Sequence, residues 1–308
     1  MAVNTGHVNR IVRISRNVTE LRSSVAFYQE RLGFQPSGPA FRMEDALVDL
    51  LGFGQQTVNV QRLRLGAQEL ELSEAGPHVR PYPLNSTSAD LWFQHIAIRC
   101  NNIETAVQQL YRPDSTSALP TAISARTGEV RSPIRLPKNS GGATAFKFRD
   151  PDGHPVELIQ FPSDMGAGPA CNGAIDHSAI SVSNVEASVD FYTAVLGLTV
   201  GTRQTNSGKE QGELDDLKDA VVEVVALQTS PQMSPHIELL GYRSPVGTAL
   251  AHVASPTDIA SDRLVLYLSG LSSVVAALNA PSHVLRLVSY GSAALIRDPD
   301  GHLLLLIE

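Results

Sequence analysis

The sequence has no long apolar run and very little cysteine. Its two cysteines, Cys100 and Cys171, fit neither a metal-binding spacing nor a multi-disulfide framework, so we expect two reduced thiols. No segment approaches the ~20 consecutive apolar residues of a transmembrane helix. The N-terminal stretch MAVNTGHVNRIVRIS also lacks the apolar core of a secretory signal. These absences favour a cytoplasmic location without membrane contact.

Clusters of positive charge are missing as well. The chain carries 24 Lys and Arg against 31 Asp and Glu, a net charge of −7, which disfavours a nucleic-acid partner. Its 43% apolar and 18% charged composition is typical of a globular protein, and 308 residues are enough for two domains with separate cores. We expect a small-molecule substrate or ligand, and a monomer or homodimer.

What the chain does contain is an internal repeat. VTELRSSVAFYQERLGF, from Val18, and VEASVDFYTAVLGLTV, from Val185, share Phe-Tyr followed by Leu-Gly, with apolar residues at helical spacing. HIAIRCNNIETAVQQL and RLVLYLSGLSSVVAAL form a second matched pair, and a copy of RDPDGH follows each. The repeat predicts four units, each a strand, a helix and several strands. The predicted units span residues 8–75, 92–162, 175–242 and 262–308.

Two further features complete the predicted organisation. Residues 163–174, rich in glycine and proline, predict a linker between domain 1 (1–162) and domain 2 (175–308). Asp-Pro-Asp-Gly supplies the backbone preferences of a tight hairpin turn. We therefore interpret its aspartates as turn formers rather than catalysts, and expect His154 and His302 on the surface.

These motifs resemble the vicinal oxygen chelate superfamily, which includes glyoxalase I, extradiol dioxygenases, fosfomycin-modifying thiol transferases and bleomycin-binding proteins. The resemblance rests on the Phe-Tyr…Leu-Gly helices, the His-bearing strands FQHIAI and DHSAISV, and the closing RDPDGHPVEL. It implies an α+β fold of four βαβββ modules, paired into two cupped half-barrel domains. It also implies a divalent metal on the floor of a cup, held by residues from the first and last strands of the modules.

Strand alternation indicates which residues face the cup of domain 1. His95, Glu71 and Glu157 each alternate with apolar neighbours and so lie on the face opposite the core. Matched to the family pattern, they take three of the four ligand positions, with the fourth at Asn9 or Arg10. Such an oxygen-rich set suits Mn²⁺, Fe²⁺, Ni²⁺, Mg²⁺ or Zn²⁺.

The matching positions of domain 2 are His177, Glu238, Arg263 and Leu305. A guanidinium and a leucine offer no lone pair to a metal, so the resemblance implies that this site is lost. His177, Glu238 and Arg263 then form either a structural ion pair or an anion-binding group.

The resemblance implies a metal-dependent glyoxalase-type isomerase or lyase that acts on a small substrate chelated through vicinal oxygens. Glu157 or Glu71 would transfer the proton. An extradiol dioxygenase is the first alternative, although Arg263 and Leu305 stand where its iron ligands belong. A metal-free drug-binding protein, as in bleomycin resistance, is the second. Tyr82 and Phe93 would then line the pocket, and Arg10 would neutralise a ligand anion.

Overall fold

The computed structural model describes residues 6–76, 78–124, 132–164, 172–229, 235–251, 254–278, 284–287 and 293–308. The fold is α+β and contains four consecutive units of the predicted βαβββ type. Most of the predicted linker lies outside the described residues, as does Cys171, whereas Cys100 is buried. No helix in the described part of the chain is long and apolar enough to cross a membrane.

The element bounds of the four units are as follows. Unit 1 contains β1 (His7–Val18), α1 (Leu21–Leu32), β2 (Gln35–Pro36), β3 (Phe41–Arg42), α2 (Asp45–Leu51), β4 (Asn59–Leu65) and β5 (Gln68–Glu74). Unit 2 contains β6 (Gln94–Cys100), α3 (Ile103–Leu110), β7 (Thr121–Ala122), β8 (Ile134–Arg135), β9 (Thr144–Arg149) and β10 (Pro155–Gln160), with 3-10 turns at Lys138–Ser140 and Pro162–Asp164. Unit 3 contains β11 (Asn172–Ser181), α4 (Val185–Asp190), which continues as a π-helical turn (Phe191–Val195), β12 (Thr199–Ser207), α5 (Lys209–Asp215), β13 (Val221–Gln228) and β14 (His236–Ser244). Unit 4 contains β15 (Arg263–Ser269), α6 (Leu271–Ala277), β16 (Val284–Leu287), β17 (Ala293–Arg297) and β18 (Leu303–Ile307).

The four units form two sheets, and each sheet joins units from different predicted domains. Strands β1 and β15 pair antiparallel, which joins units 1 and 4 into the 1/4 sheet. Strands β6 and β11 pair in the same way and join units 2 and 3 into the 2/3 sheet. The expectation that units 1 and 2 share one cup, and units 3 and 4 the other, is therefore wrong.

The first helix of each unit lies between the two sheets, so both concave faces point outward. The largest cluster of buried apolar side chains draws on both sheets and on the first helix of every unit. Residues that alternate with this core along each strand must face a cup. The 1/4 cup is filled by apolar residues of the segment that contains α2, including Val48, Leu51 and Phe53, which pack on Leu305. The 2/3 cup instead retains a cavity of about 280 Å³.

The two RDPDGH turns connect units on the helix side of the sheets. Tyr28, from the Phe-Tyr motif of α1, donates a hydrogen bond to Asp150 Oδ2 at 2.7 Å. Tyr192 donates to Asp298 Oδ2 at 3.1 Å in the other half. Unit 1 is thus bound to the hairpin of unit 2, and unit 3 to that of unit 4. The turn also needs glycine, because φ is +97° at Gly153 and L side chains rarely adopt this conformation.

The turn histidines are buried rather than exposed, so their predicted surface position is wrong. His154 is fully buried, and its Nδ1 and Nε2 lie 3.0 Å from Asp150 Oδ2 and 2.9 Å from the Ile259 carbonyl. His302 Nε2 lies 2.9 Å from the Ser181 carbonyl. A short polar motif at a sheet corner looked exposed in the sequence. In the structure the turn around Ile259 covers His154, and the end of β11 covers His302.

The two turn aspartates differ in their charged neighbours, and we expect opposite effects of pH on stability. Burial opposes ionisation of Asp150, but the nearby His154 and Arg16 lower its pKa to about 2. Burial raises the pKa of Asp298. A lowered folded-state pKa contributes stability above the unfolded pKa, and this contribution is lost as the pH falls. A raised folded-state pKa contributes stability below the unfolded pKa, and this contribution is lost as the pH rises.

The cost of Asp150→Asn should therefore be greater at pH 7 than at pH 3 by about 1 kcal/mol. The cost of Asp298→Asn should decrease as the pH rises over the same interval. Urea unfolding of both variants and the wild type at the two pH values measures this. Parallel pH trends in the two variants would contradict the difference in their environments.

Candidate metal centre

Four potential ligands lie on the floor of the 2/3 cup, each on a different strand. His95 lies on β6, Glu157 on β10, His177 on β11 and Glu238 on β14. Each is an odd number of positions from a core residue of its own strand, as His95 is next to Ile96, and this places all four on the concave face.

The strand register explains why these four side chains converge. His177 and Glu157 lie on either side of Ala97 in one row of paired residues, and His95 and Glu238 lie on either side of Ala179 in a neighbouring row. The methyl groups leave the space above them open, and a larger side chain at either position would fill the centre of the site.

Distances and burial support a common binding centre. His95 Nε2 lies 3.0 Å from Glu157 Oε2, and His177 Nε2 lies 3.5 Å from Glu238 Oε2. Ligand atoms of His95, Glu157 and His177 all lie within 4.8 Å of one another. These three residues are buried, whereas the Glu238 side chain is 21% exposed. Two imidazoles and one carboxylate therefore converge at the base of the cavity, and the carboxylate of Glu238 lies beside His177.

His95 gives a direct test of whether a cation fits this centre. Its two ring nitrogens are buried, and neither makes a properly directed hydrogen bond to any residue that the structure describes. A buried polar nitrogen without a partner is costly and uncommon in folded proteins. A cation shared with Glu157 would satisfy Nε2, so the residues present fit a divalent metal.

The first pair, His95 and Glu157, is held in the protonation states that ligation requires. Burial and the ammonium of Lys147 lower the pKa of His95 to about 4. Burial alone would raise the pKa of Glu157, but Lys147 and His95 lower it. At neutral pH the imidazole is therefore neutral and the carboxylate ionised, so both offer lone pairs.

The second pair, His177 and Glu238, carries a proton that a metal would displace. Burial disfavours the His177 cation, yet Glu238 and Asp176 raise its pKa to about 9. Burial also opposes ionisation of Glu238, but His177 and His236 lower its pKa to about 2. His177 Nδ1 lies 3.0 Å from Asp176 Oδ2, a contact that fixes the ring with Nε2 toward the centre. Metal binding at this centre should release a proton.

Comparisons with known proteins agree with this architecture. The profile of the Glyoxalase/Bleomycin resistance protein/Dioxygenase superfamily matches residues 10–158 and 174–306. The chain belongs to this superfamily. No curated protein sequence matches it.

Solved structures share the fold over nearly the whole chain. Glyoxalase I from Zea mays is 15% identical with a TM-score of 0.62, over 99% of this chain and 92% of that chain. A single-substitution variant of that enzyme is 16% identical with a TM-score of 0.61, over 98% of this chain and 94% of that chain. A Bacillus subtilis protein provisionally named a dioxygenase is 12% identical with a TM-score of 0.54, over 98% of this chain and 85% of that chain. At these identities the likeness shows the superfamily fold alone.

Within this superfamily fold, the structure does not bring Glu71 to His95 and Glu157. Glu71 lies on β5 in the 1/4 cup, where Arg13 Nε and Arg62 Nε each approach Glu71 Oε2 to 2.9 Å. The predicted grouping is wrong because β6 pairs with β11 rather than with the strands of unit 1. His177 and Glu238, assigned to a second cup without a complete site, instead complete the set begun by His95 and Glu157.

The 1/4 cup has lost the ligand set at the equivalent positions. Its register places Arg13, Glu71, Arg263 and Leu305 where the 2/3 cup has two histidines and two glutamates. The fourth position of unit 1 is therefore Arg13, and the expectation of Asn9 or Arg10 is wrong. Burial lowers the pKa of Arg263 to about 10, and its guanidinium donates to Asn17 and Ser15. Arg263 therefore lies in the 1/4 cup, whereas His177 and Glu238 lie in the 2/3 cup, so the predicted grouping of these three residues is wrong.

The predicted substrate-binding residues lie outside the cavity of the 2/3 cup. Arg10 is exposed on β1 and stacks over the Tyr267 ring at 5.6 Å. Tyr82 packs against His154, with ring centroids 6.0 Å apart. Phe93 is fully buried, and its ring centroid lies 5.8 Å from that of His95. Phe93 thus supports His95 and does not line the cavity.

Sequence reasoning missed several polar residues that the fold brings to this cavity. They are Lys147, Asp176, Gln211, Asp215, His236 and Tyr242. For Lys147 a signal was present, because a lysine between two phenylalanines in AFKFR predicts a charge on the face opposite the core. The others lie in unit 3 at positions without a distinguishing local pattern.

Proposed function

We propose that His95, Glu157, His177 and Glu238 hold a divalent metal, and that the protein is a metal-dependent isomerase or lyase. Its reaction would be proton transfer on a small substrate chelated through vicinal oxygens. The single observation that supports this most is the convergence of two imidazoles and two carboxylates from four strands. The donor set favours ions that accept imidazole, such as Zn²⁺, Ni²⁺ and Fe²⁺, with Mn²⁺ next and Mg²⁺ last.

The chemistry divides between the metal and one carboxylate. When bound, a divalent ion supplies Lewis-acid stabilisation of negative charge on a substrate oxygen. Glu157 is the better base of the two glutamates. Its partners are one neutral imidazole and an ammonium 3.8 Å away, whereas Glu238 faces two imidazoles that lower its pKa to about 2. Glu157 would take a proton from substrate carbon and return it to the neighbouring carbon or oxygen.

Apolar side chains of the cup walls limit how much water can surround this proton transfer. Leu136, Ile159, Leu214 and Val224 contribute apolar surface to the cavity. A drier site strengthens the interaction of the reacting charges with Glu157 and the metal. At about 280 Å³ the cavity is slightly below the usual range for drug-sized ligands, which supports a compact reacting group.

The first experiment is metal analysis of the purified protein after dialysis against Zn²⁺, Ni²⁺, Fe²⁺ and Mn²⁺ separately. We expect one ion per chain with at least one of them. Deuterium uptake from D₂O at the carbon next to the carbonyl of α-hydroxy ketones and of α-oxo aldehyde–thiol adducts then reports proton transfer. Substoichiometric metal in all four cases would contradict the proposal and favour a metal-free binding protein.

An extradiol-type dioxygenase is a second candidate, and a specific observation favours it. His95, His177 and Glu157 form a two-imidazole, one-carboxylate set within 4.8 Å, which is the set that non-haem iron oxygenases use. The sequence alone had predicted one histidine and two carboxylates. Oxygen consumption by the Fe²⁺-loaded protein with catechols, in place of deuterium uptake, would support this alternative.

A further inference from the structure

Lys147 is a buried cation beside the candidate metal centre. It lies on β9, directly opposite Glu157 in the ladder between β9 and β10, and is 3% exposed. Its neighbours Phe146 and Phe148 pack in the core on the other face of the sheet. Among the described residues that line the 2/3 cavity, it is the single lysine or arginine.

Asp215 holds this ammonium in place. Lys147 Nζ donates to Asp215 Oδ1 at 2.6 Å. The other oxygen of Asp215 accepts from Gln211 Nε2 at 2.6 Å and from the Tyr242 hydroxyl at 2.9 Å. Asp215 is itself buried at the end of α5, so groups from two elements, α5 and β14, fix the position of Lys147.

The ammonium has more donors than its surroundings use. It carries three N–H groups, and Asp215 is the one hydrogen-bond acceptor that the described residues offer it. Glu157 Oε2 lies 3.8 Å away, too far for a hydrogen bond. Unused donors on a buried ammonium are costly unless another group accepts from them.

We propose that Lys147 binds an anionic oxygen of the substrate, so that the 2/3 cup selects small organic acids. This inference rests on the proposed function, because the acid would place its carboxylate beside Lys147 and its adjacent oxygen at the metal centre. The restricted cavity next to a fixed positive charge suits an acid of a few carbon atoms. Lys147 is then a substrate-binding residue, distinct from the four ligands.

The test measures binding of oxalate, an acid with vicinal oxygens, by calorimetry on the Mn²⁺-loaded protein. Oxamide, which is neutral and has the same shape, is the ligand control. The variants are Lys147→Met, Lys147→Arg and the double variant Lys147→Met with Asp215→Asn, which removes both buried charges if the single variant does not fold. Lys138→Met removes an exposed lysine outside the cavity lining and serves as the matched control.

We expect all variants to retain Mn²⁺ binding, since the four proposed ligands are unchanged. The oxalate dissociation constant should rise about 10- to 100-fold in Lys147→Met and in the double variant. It should rise less in Lys147→Arg and stay unchanged in Lys138→Met. Oxamide binding should not respond to any variant. Unchanged oxalate affinity in the double variant, or an equal loss for oxamide, would overturn the inference and leave Lys147 a structural ion pair.

Failure of the proposed function gives a different result. If the wild type binds no Mn²⁺, oxalate titration of the same protein still decides the role of Lys147. Oxalate binding that disappears in Lys147→Met would retain the anion site and reject the metalloenzyme. No oxalate binding to the wild type would reject both.

Discussion

His177→Ala and His95→Ala should each weaken metal binding on the order of 100-fold or more, while Glu71→Gln leaves it unchanged. Each histidine supplies one of four ligands in the 2/3 cup. Loss of a residue that merely orients a ligand already costs 10- to 100-fold. Glu71 is a buried glutamate of the same repeat, but it lies in the 1/4 cup against Arg13 and Arg62. Equilibrium dialysis of Zn²⁺ or Mn²⁺ against the three variants and the wild type measures the effect.

Glu71→Gln is the decisive control in this experiment. If Glu71 were a ligand, as the sequence grouping predicted, its variant would lose metal together with His95→Ala. The pairing of β6 with β11 instead requires that His177→Ala and His95→Ala behave alike. Retention of full affinity in His177→Ala would remove unit 3 from the site.

Glu157→Gln should reduce proton exchange by about 10²- to 10⁴-fold, the range for loss of a general base. Glu238→Gln removes a ligand of the same type and should reduce exchange much less when both proteins are saturated with metal. The difference follows from the environments of the two carboxylates. Before a metal binds, His177 and His236 lower the pKa of Glu238 to about 2, so Glu238 is the weaker base of the two. Deuterium uptake under single-turnover conditions compares the two variants.

Metal saturation has to be verified in both glutamate variants, because each loses one ligand. Equal losses of exchange at full occupancy would assign both carboxylates to metal binding alone. A larger loss in Glu238→Gln would transfer the role of base to Glu238. Either result would leave the four-residue metal site intact and change only the assignment of the proton acceptor.

The repeat and the strand alternation were sufficient to predict much of the site. Alternation along HIAI and PVEL placed His95 and Glu157 opposite buried neighbours such as Ile96 and Leu158, and the structure places them on the concave face. The same reasoning identified His177 and Glu238. These assignments depend on local geometry, since neighbouring side chains of a strand point to opposite faces whatever the strand pairs with.

The partner of each first strand could not be predicted in this way. Every unit offers the free edge of its first strand, and pairing of units 1 and 2 satisfies the local pattern as well as pairing of units 2 and 3. The choice depends on contacts distant in the sequence, such as Tyr28 with Asp150 and Tyr192 with Asp298. These contacts join units 1 and 2, and units 3 and 4, through their helices and hairpins.

The sequence by itself determined four related units, the superfamily they resemble, and which side chains face a cup. Only the tertiary structure decided which cup each side chain enters. The helix-side contacts hold unit 1 to unit 2 and unit 3 to unit 4. The first strands therefore pair between units 2 and 3, in the middle of the chain, and between units 1 and 4, at its ends. That pairing brings His95 and Glu157 to His177 and Glu238. Glu71 and Arg263 remain in a cup that α2 and its neighbours have filled with apolar side chains.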